Sequence, residues 1–461
     1  MYTETIAAIS TPFGRGGIAV IRVSGDRAAE ICERVFFPFD KKPLSAHESR
    51  IAVYGEIKYR GEVIDDGIAT LFRAPASYTG EDTVEISCHG GIKLAETVLK
   101  ATLAAGAVYA EPGEYTKRAF LSGKLTLSQA ESVINLIDAE TEEQIKLASS
   151  HRRGALSAAA DSIYNNIMGL VSSSYAYIDY PDEDLTDVEI GDYKLRLEGI
   201  LKELTRLEKS YDTGRAVSEG IRTVIVGKPN AGKSSLLNAM LGEDRAIVTD
   251  IAGTTRDVIE ETVRLERIVL RLSDTAGIRE TDDVIEKIGV DLAKERISGA
   301  ELVFAGFDAT APLDKEDRDL VSYIKDVAAD KKVVAVINKN DEKPCEETVA
   351  ELESVFEYSV RISAKTGDGV DKLYSLAEGF YINGEIDYNS SAVIANARQH
   401  SAVMRARESV SNALAALENG FTQDIAGMDL EHALAAIGEL DSRGVGEDVV
   451  KQIFGRFCVG K

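Results

Sequence analysis

Hydrophobic and polar positions change their period along this chain, and each change marks a different kind of structure. Gly17 to Val23 (GIAVIRV) predicts a buried strand, and Asp26 to Phe36 predicts a helix. Ile51 to Tyr59 and Val63 to Phe72 flank Arg60-Gly61, the signal of a hairpin. Thr83 to Cys88 predicts a further strand, and Gly90-Gly91 opens a helix through Ala105. Residues 1–118 therefore read as an α+β domain.

After Pro112-Gly113 the pattern turns helical. Ser128-Gln129-Ala130-Glu131 has the form of a capping box, and Val133, Ile134, Ile137, Ile145 and Ala148 fall roughly on one stripe. Leu197, Ile200, Leu201, Leu204 and Leu207 repeat that spacing. Tyr180-Pro181-Asp182-Glu183-Asp184 between them reads as an acidic turn. From Ile221, apolar strand runs at Ile221 to Val226, Ile268 to Ser273, Leu302 to Phe307, Val333 to Asn338 and Glu357 to Ile362 alternate with helical segments. That alternation predicts a mostly parallel sheet. Val258 to Arg264 can add an antiparallel strand through a Glu266-Arg267 turn. Beyond Tyr381 the stripes return: Val403, Ala406, Val410, Ala413, Leu414 and Leu417 end at Gly420, a C-cap, and Leu430, Leu434, Ile437 and Leu440 form the next. A tail this short is thin for a core of its own. It is expected to pack on residues 119–216, which makes 217–382 an insertion and 383–461 the second part of one helical domain.

At 461 residues the chain is long enough for several domains, and its 44% hydrophobic and 28% charged content is ordinary for a soluble protein. The start, Met1-Tyr2-Thr3-Glu4-Thr5-Ile6, shows no signal peptide, and no apolar run approaches the roughly 20 residues of a membrane span. Cys32, Cys88, Cys345 and Cys458 are scattered without CxxC or zinc spacing, so a reducing cytoplasm is expected. The net charge of −24 argues against binding nucleic acid or anionic membranes over the whole surface. It leaves room for a local basic patch.

The inserted segment carries the chemistry. Gly227-Lys228-Pro229-Asn230-Ala231-Gly232-Lys233-Ser234 follows a strand and opens a helix, the context of a phosphate-binding loop. The glycines let backbone N–H groups turn toward a β-phosphate, and the helix N-terminus adds partial positive charge. Lys233 is placed to bridge the β- and γ-phosphates and Ser234 to ligate Mg²⁺, with Ser235 beside it. Asp274-Thr275-Ala276-Gly277 ends the next parallel strand. Asp274 suits the metal shell and the N–H of Gly277 the γ-phosphate. A threonine of Gly253-Thr254-Thr255-Arg256-Asp257 can complete that shell.

Asn338-Lys339-Asn340-Asp341 and Ser363-Ala364-Lys365 follow at strand ends. A buried Asp341 accepts two hydrogen bonds from the N1–H and N2 amine of guanine, groups that adenine lacks. Asn338 and Lys339 would brace the loop, and Ala364 would offer its N–H to guanine O6. Together these segments predict a guanine-nucleotide switch. Where Ras-like proteins carry a water-orienting Gln, this chain has Ile278, which cannot polarise water. Arg256 and the acidic residues Glu280, Asp282, Asp283 and Glu286 are candidates for that task.

Further motifs lie outside this segment: Thr11-Pro12-Phe13-Gly14-Arg15-Gly16-Gly17-Ile18, Gly80-Glu81-Asp82, Cys88-His89-Gly90-Gly91, Pro112-Gly113-Glu114-Tyr115 and the terminal Phe457-Cys458-Val459-Gly460-Lys461. With these, the chain resembles the tRNA modification GTPases of the MnmE (TrmE) family over its full length. The resemblance implies a multidomain fold: an α+β N-terminal folate-binding and dimerisation domain, an α-helical middle domain, and an inserted α/β Ras-like P-loop GTPase domain. It implies that K⁺ stands in for an arginine finger, held by Asn230, Thr249, Ile251 and Thr254, with Thr255 on Mg²⁺ and Glu286 orienting the attacking water. It places 5-formyl- or 5,10-methylene-tetrahydrofolate on Arg22, Glu85, Lys124 and Lys461. Cys458 becomes a candidate catalytic residue beside the folate, and His89 a structural one. The implied partners are a second copy, an FAD-containing protein, MnmG (GidA), in a heterotetramer, and tRNA. The implied reaction builds an aminomethyl or carboxymethylaminomethyl group on C5 of the wobble uridine. The flavin belongs to the partner, since no dinucleotide fingerprint occurs here. The rival reading is a ribosome-assembly switch of the Era or Der type, although neither a GxxG-bearing basic module nor a second P-loop is seen.

Overall fold

The fold is that of a computed structural model describing residues 4–179, 190–245, 261–272, 297–327, 331–382, 384, 391–441, 443, 446–455 and 457–460. The N-terminal strands are β1 (Ile6–Ile9), β2 (Ile18–Ser24), β3 (Phe36–Pro38), β4 (Ala52–Tyr59), β5 (Glu62–Phe72), β6 (Thr83–His89) and β7 (Val108–Tyr109). They form one sheet in the order β3-β4-β5-β6-β2-β1-β7. Arg60 (φ 54°) and Gly61 (φ 86°) make the β4–β5 turn, both left-handed as a two-residue hairpin with matching twist requires. Helices α1 (Ala28–Glu33) and α2 (Ile92–Ala104) pack on one face, burying Ile21, Val23, Val84, Ile86, Val98 and Ile31. Because side chains alternate along a strand, Arg22 and Glu85 project from the opposite face, directly across from each other in the β2–β6 ladder. The helix expected over 26–36 is only six residues long, and its last apolar residue, Phe36, begins β3.

Five shorter or longer helices follow α3 (Glu114–Leu121): α4 (Leu127–Ile137), α5 (Glu142–Arg152), α6 (Ala155–Asp179), α7 (Ile190–Lys209) and α8 (Tyr211–Glu219). The capping box of α4 is not the one read from the sequence. Thr126 Oγ1 accepts from Gln129 N–H at 3.2 Å, and Gln129 Oε1 accepts from Thr126 N–H at 2.9 Å. Ser128 lies inside the first turn and donates to the Leu440 carbonyl at 2.8 Å. The apolar stripe expected through 133–148 is also broken. Thr141 and Gln144 form a second box that starts α5, and Ile137 and Ile145 stay exposed.

The second sheet is built from β8 (Ile221–Val226), β9 (Glu261–Arg264), β10 (Val269–Leu272), β11 (Leu302–Asp308), β12 (Lys332–Asn338) and β13 (Ser359–Arg361), in the order β13-β12-β11-β8-β10-β9. Every pairing is parallel except β9–β10. Helices α9 (Lys233–Arg245), α10 (Lys315–Val327), α11 (Glu346–Val355) and α12 (Val370–Gly379) alternate with the strands. Apolar cores lie on both faces, one holding Ile225, Phe304 and Val336, the other Val224, Ala305 and Ile337. Chain order reverses between β8 and β11, and ligands of such sheets bind at the strand C-termini beside that reversal.

Helices α13 (Ala397–Glu418), α14 (Gln423–Gly438) and α15 (Glu447–Phe454) complete the chain. Gly420 (φ 82°) ends α13 with the paired bonds Gly420 N–H to Leu417 O and Phe421 N–H to Ala416 O, a Schellman motif. Helix α14 packs on α6, and α15 on α3. Met1–Ile134, His151–Lys194 and Asn412–Lys461 form one compact unit, and Asn135–Ser150 with Leu195–Ser411 the other. No helix among the described residues is long and apolar enough to cross a membrane.

Candidate functional site

The loop from Gly227 to Ser234 leaves the end of β8 and enters α9 at Lys233. Three of its residues have positive φ, Gly227 (155°), Asn230 (62°) and Gly232 (87°), and the last two turn successive peptides inward. Only glycine fits at 232, because a Cβ there would stand 2.1 Å from Asn338 Nδ2. Lys233 Nζ donates to the Lys228 carbonyl at 2.8 Å. Ser234 and Ser235 are exposed on the first turn of the helix.

Asn338, buried at the end of β12, joins this loop to the base-side segments. Its Nδ2 donates to the Ala231 carbonyl at 3.0 Å. Its Oδ1 accepts from Lys339 N–H at 2.8 Å and from Ala364 N–H at 2.9 Å. The N–H expected on guanine O6 thus bonds Asn338 here. Lys339, left-handed at φ 66°, pairs with Asp308 at 2.5 Å. Burial would raise the Asp308 carboxyl pKa, but Lys339 and Thr310 outweigh it and hold it below the ordinary value. Asp341 is exposed rather than buried, since it lies in the turn beyond β12. Ser363 Oγ donates to its Oδ1 at 2.7 Å and keeps the carboxyl below its usual pKa, with Lys365 adding to the effect. The donor set, namely inward peptides, a helix N-terminus and an ammonium, suits phosphates, while Asp341 suits a donor edge of a base. Ser234 and Asn230 are the described residues of the expected Mg²⁺ and K⁺ shells. Thr249, Ile251, Thr254, Thr255, Arg256, Asp274, Thr275, Ala276, Gly277, Glu280, Asp282, Asp283 and Glu286 lie outside the described residues, as does the acidic turn at 180–184.

On the N-terminal sheet, Arg22 and Glu85 are partners of one another. Arg22 Nε and Nη2 reach Glu85 Oε1 at 2.9 and 2.8 Å. The Tyr78 and Tyr115 rings flank the guanidinium, with centroids at 5.5 and 5.6 Å. Neither tyrosine was expected here, although Tyr115 belongs to a singled-out motif. Tyr115 is buried, which pushes its phenol pKa up, and its hydroxyl donates to the Arg22 carbonyl at 2.7 Å. Lys124 donates to the carbonyls of Pro75, at 2.9 Å, and Ser77, next to Tyr78. An arginine, a carboxylate and two aromatic rings together suit a flat, polar heterocycle. Lys461 lies outside the described residues.

The terminal motif docks on the same unit. The Cys458 carbonyl accepts from Gly113 N–H at 3.4 Å, and the Gly460 carbonyl from Ser10 Oγ at 3.0 Å. Phe457 is buried against Phe454, leaving the Cys458 side chain exposed. Cys88, by contrast, is buried, and burial, with Asp65, pushes its thiol up to about 11. His89 is exposed, and its Nδ1 pairs with Asp65 at 2.8 Å, whose hydrogen bond raises the imidazole pKa.

Residues 5–124 match the family described as the GTP-binding protein TrmE N-terminus, and residues 127–458 match the MnmE helical domain. The chain is 40% identical over 459 residues to the tRNA modification GTPase MnmE of Clostridioides difficile, covering 99% of each. It is also 40% identical to the proteins of that name from Desulforamulus reducens and Acetivibrio thermocellus, over 465 and 466 residues and 100% of each chain. Similarity of this extent, spanning the phosphate loop, both sheets and the terminal motif alike, places the chain in the MnmE family of tRNA modification GTPases.

Proposed function

We propose that this protein is a K⁺-stimulated GTP hydrolase acting in the modification of tRNA. With an FAD-dependent partner of the MnmG (GidA) kind, it would install a (carboxymethyl)aminomethyl group on C5 of the wobble uridine. The observation that supports the nucleotide reading most directly is Asn338, whose one side chain ties the phosphate loop at Ala231 to the Ala364 loop. GTP would lie across the ends of β8, β11 and β12, its β-phosphate on the peptides of 230–232, Lys233 between the β- and γ-phosphates, and Asp341 on the guanine edge. Of the nucleotide-binding run Asp274, Thr275, Ala276 and Gly277, Asp274 would touch Mg²⁺ directly or through water and the Gly277 N–H would reach the γ-phosphate. Mg²⁺ on Ser234 and Thr255, and K⁺ on Asn230, Thr249, Ile251 and Thr254, would supply positive charge where negative charge builds during cleavage. Glu286 would orient the attacking water.

In the proposed division, residues 1–118 bind tetrahydrofolate and dimerise, 119–216 and 383–461 form the helical domain, and 217–382 the inserted G domain. Arg22, Glu85, Lys124 and Lys461 would hold the folate, whose one-carbon unit the partner's flavin chemistry uses, with Cys458 nearby. Tyr78 and Tyr115 fit a ring-bearing ligand at Arg22. The protein would work in the cytoplasm as a homodimer, joined to its partner as a heterotetramer. GTP turnover is expected to be faster in K⁺ than in Na⁺, and equal rates would remove the ion scheme. Mass spectrometry of wobble uridines in tRNA from cells lacking the gene tests the modification: unchanged nucleosides would favour a ribosome-assembly switch.

A further inference from the structure

The second residue of the phosphate loop, Lys228, is not required by the phosphate-binding pattern, yet its side chain is held by two carboxylates. Its Nζ lies 2.6 Å from Asp317 Oδ2 and 2.8 Å from Asp314 Oδ2. Both carboxylates sit at the start of α10 and lock each other in place. Asp317 N–H donates to Asp314 Oδ1 at 3.0 Å, and Asp314 N–H donates to Asp317 Oδ2 at 3.2 Å. Asp317 is 2% exposed, and its Oδ1 has no hydrogen-bond partner among the described residues. Among the described residues Lys228 is the cation paired with this carboxylate, and a buried ion that depends on its partner fixes that partner's position. The Lys228 carbonyl in turn holds Lys233 Nζ. The other limb of the loop is held by Asn338 on the Ala231 carbonyl.

We propose that Asp314, Asp317 and Lys228 form a brace that fixes the outer limb of the phosphate loop, with Lys228 and Asp317 acting as positioning residues for nucleotide binding. The brace runs from the N-terminus of α10, through the Lys228 ammonium, to the backbone that presents Lys233. It rests on reading residues 227–234 as the nucleotide site. Its alternative is that Lys228 is itself a phosphate ligand that the two carboxylates only park. The two differ in sign at Asp317. A brace loses its anchor when that carboxylate is neutralised, whereas a parked ligand is released.

The test uses the full-length protein with Lys228→Met, Asp317→Asn, both together, and Lys228→Arg. Affinities for GDP and GTP are measured by calorimetry, and folding by thermal melting. With a brace, each single variant weakens GDP and GTP by the same factor, about ten-fold, the coupling expected within one network. The double variant is no weaker than the worse single one, and Lys228→Arg restores most of the affinity. The brace is overturned if Asp317→Asn leaves affinity unchanged or tightens it, if the single effects add, or if GTP is affected and GDP is not. Should Lys228→Met fail to fold, Asp317→Asn alone decides on the same criterion. Failure of the parent protein to bind either nucleotide would remove the nucleotide reading itself, and is thereby told apart from a failed brace.

Discussion

Asp341 offers one carboxylate to a base edge, with Oδ1 already oriented by Ser363. In Asp341→Asn, an amide donor replaces an acceptor where guanine presents two donors. GTP affinity is expected to fall by about 10²-fold or more, and xanthosine triphosphate, which carries a carbonyl at C2, to gain. Competition calorimetry with the two nucleotides reads both effects. Gly232 shows the opposite kind of residue, one whose value is the side chain it lacks. Gly232→Ala would force a left-handed alanine into Asn338 Nδ2, at a cost of roughly 1–3 kcal/mol. We expect a lower melting temperature together with weaker GDP binding, since the same clash displaces the Asn338–Ala231 bond. At this scale the phosphate and base residues were legible because their spacing is fixed by backbone geometry. The Asp317–Lys228 ties were not, because no local pattern links residues so far apart. The exposure of Asp341 was equally hidden, since burial depends on the turn around it.

Among the elements, those with local rules were readable. The β4–β5 hairpin announced itself through Arg60-Gly61, and the end of α13 through Gly420. The central strands β8, β11 and β12 were readable because both of their faces are covered, so they are near-continuous apolar runs. Strands β1, β3 and β7 had no such mark. They are two to four residues long and exist through pairing with distant partners. The start of α4 was misread because two overlapping Ser/Thr-x-x-Glu/Gln patterns compete there, and Leu127 goes into the core when Thr126 is the cap. Thr126→Ala should therefore destabilise the protein by about 1 kcal/mol, the usual cost of a lost cap, in urea melts. No loss beyond about 0.3 kcal/mol would return the cap to Ser128.

For the whole molecule, one carboxylate links three elements of the second unit. Glu301 binds Arg215 of α8 and reaches Arg222 of β8 at 3.3 Å, immediately before β11. Burial alone would raise its pKa, but the Arg215 hydrogen bond and charge, helped by Arg222, bring it below the ordinary value. Stability from this group is therefore complete above the unfolded pKa and lost as pH falls through the folded one. Glu301→Gln should cost about 2 kcal/mol at neutral pH. The gap to the parent protein should stay constant at higher pH and close below about pH 4.3. Denaturant melts across that range test it, and a gap that persists in acid would show that the charge of Glu301 contributes nothing.

The C-terminal segment that rests on Ser10 and Gly113 also sets an order of assembly. A Cβ at Gly460 would stand 2.3 Å from the Ile9 carbonyl, so the first strand and this late segment meet backbone to backbone. A ribosome delivers Ile9 early and Gly460 only after all of 195–411 has emerged. Domains usually mature in the order of translation. Here the unit begun first must wait for its last pieces, and the second unit, whose segments 135–150 and 195–411 have both emerged by then, is free to fold while its predecessor is still incomplete.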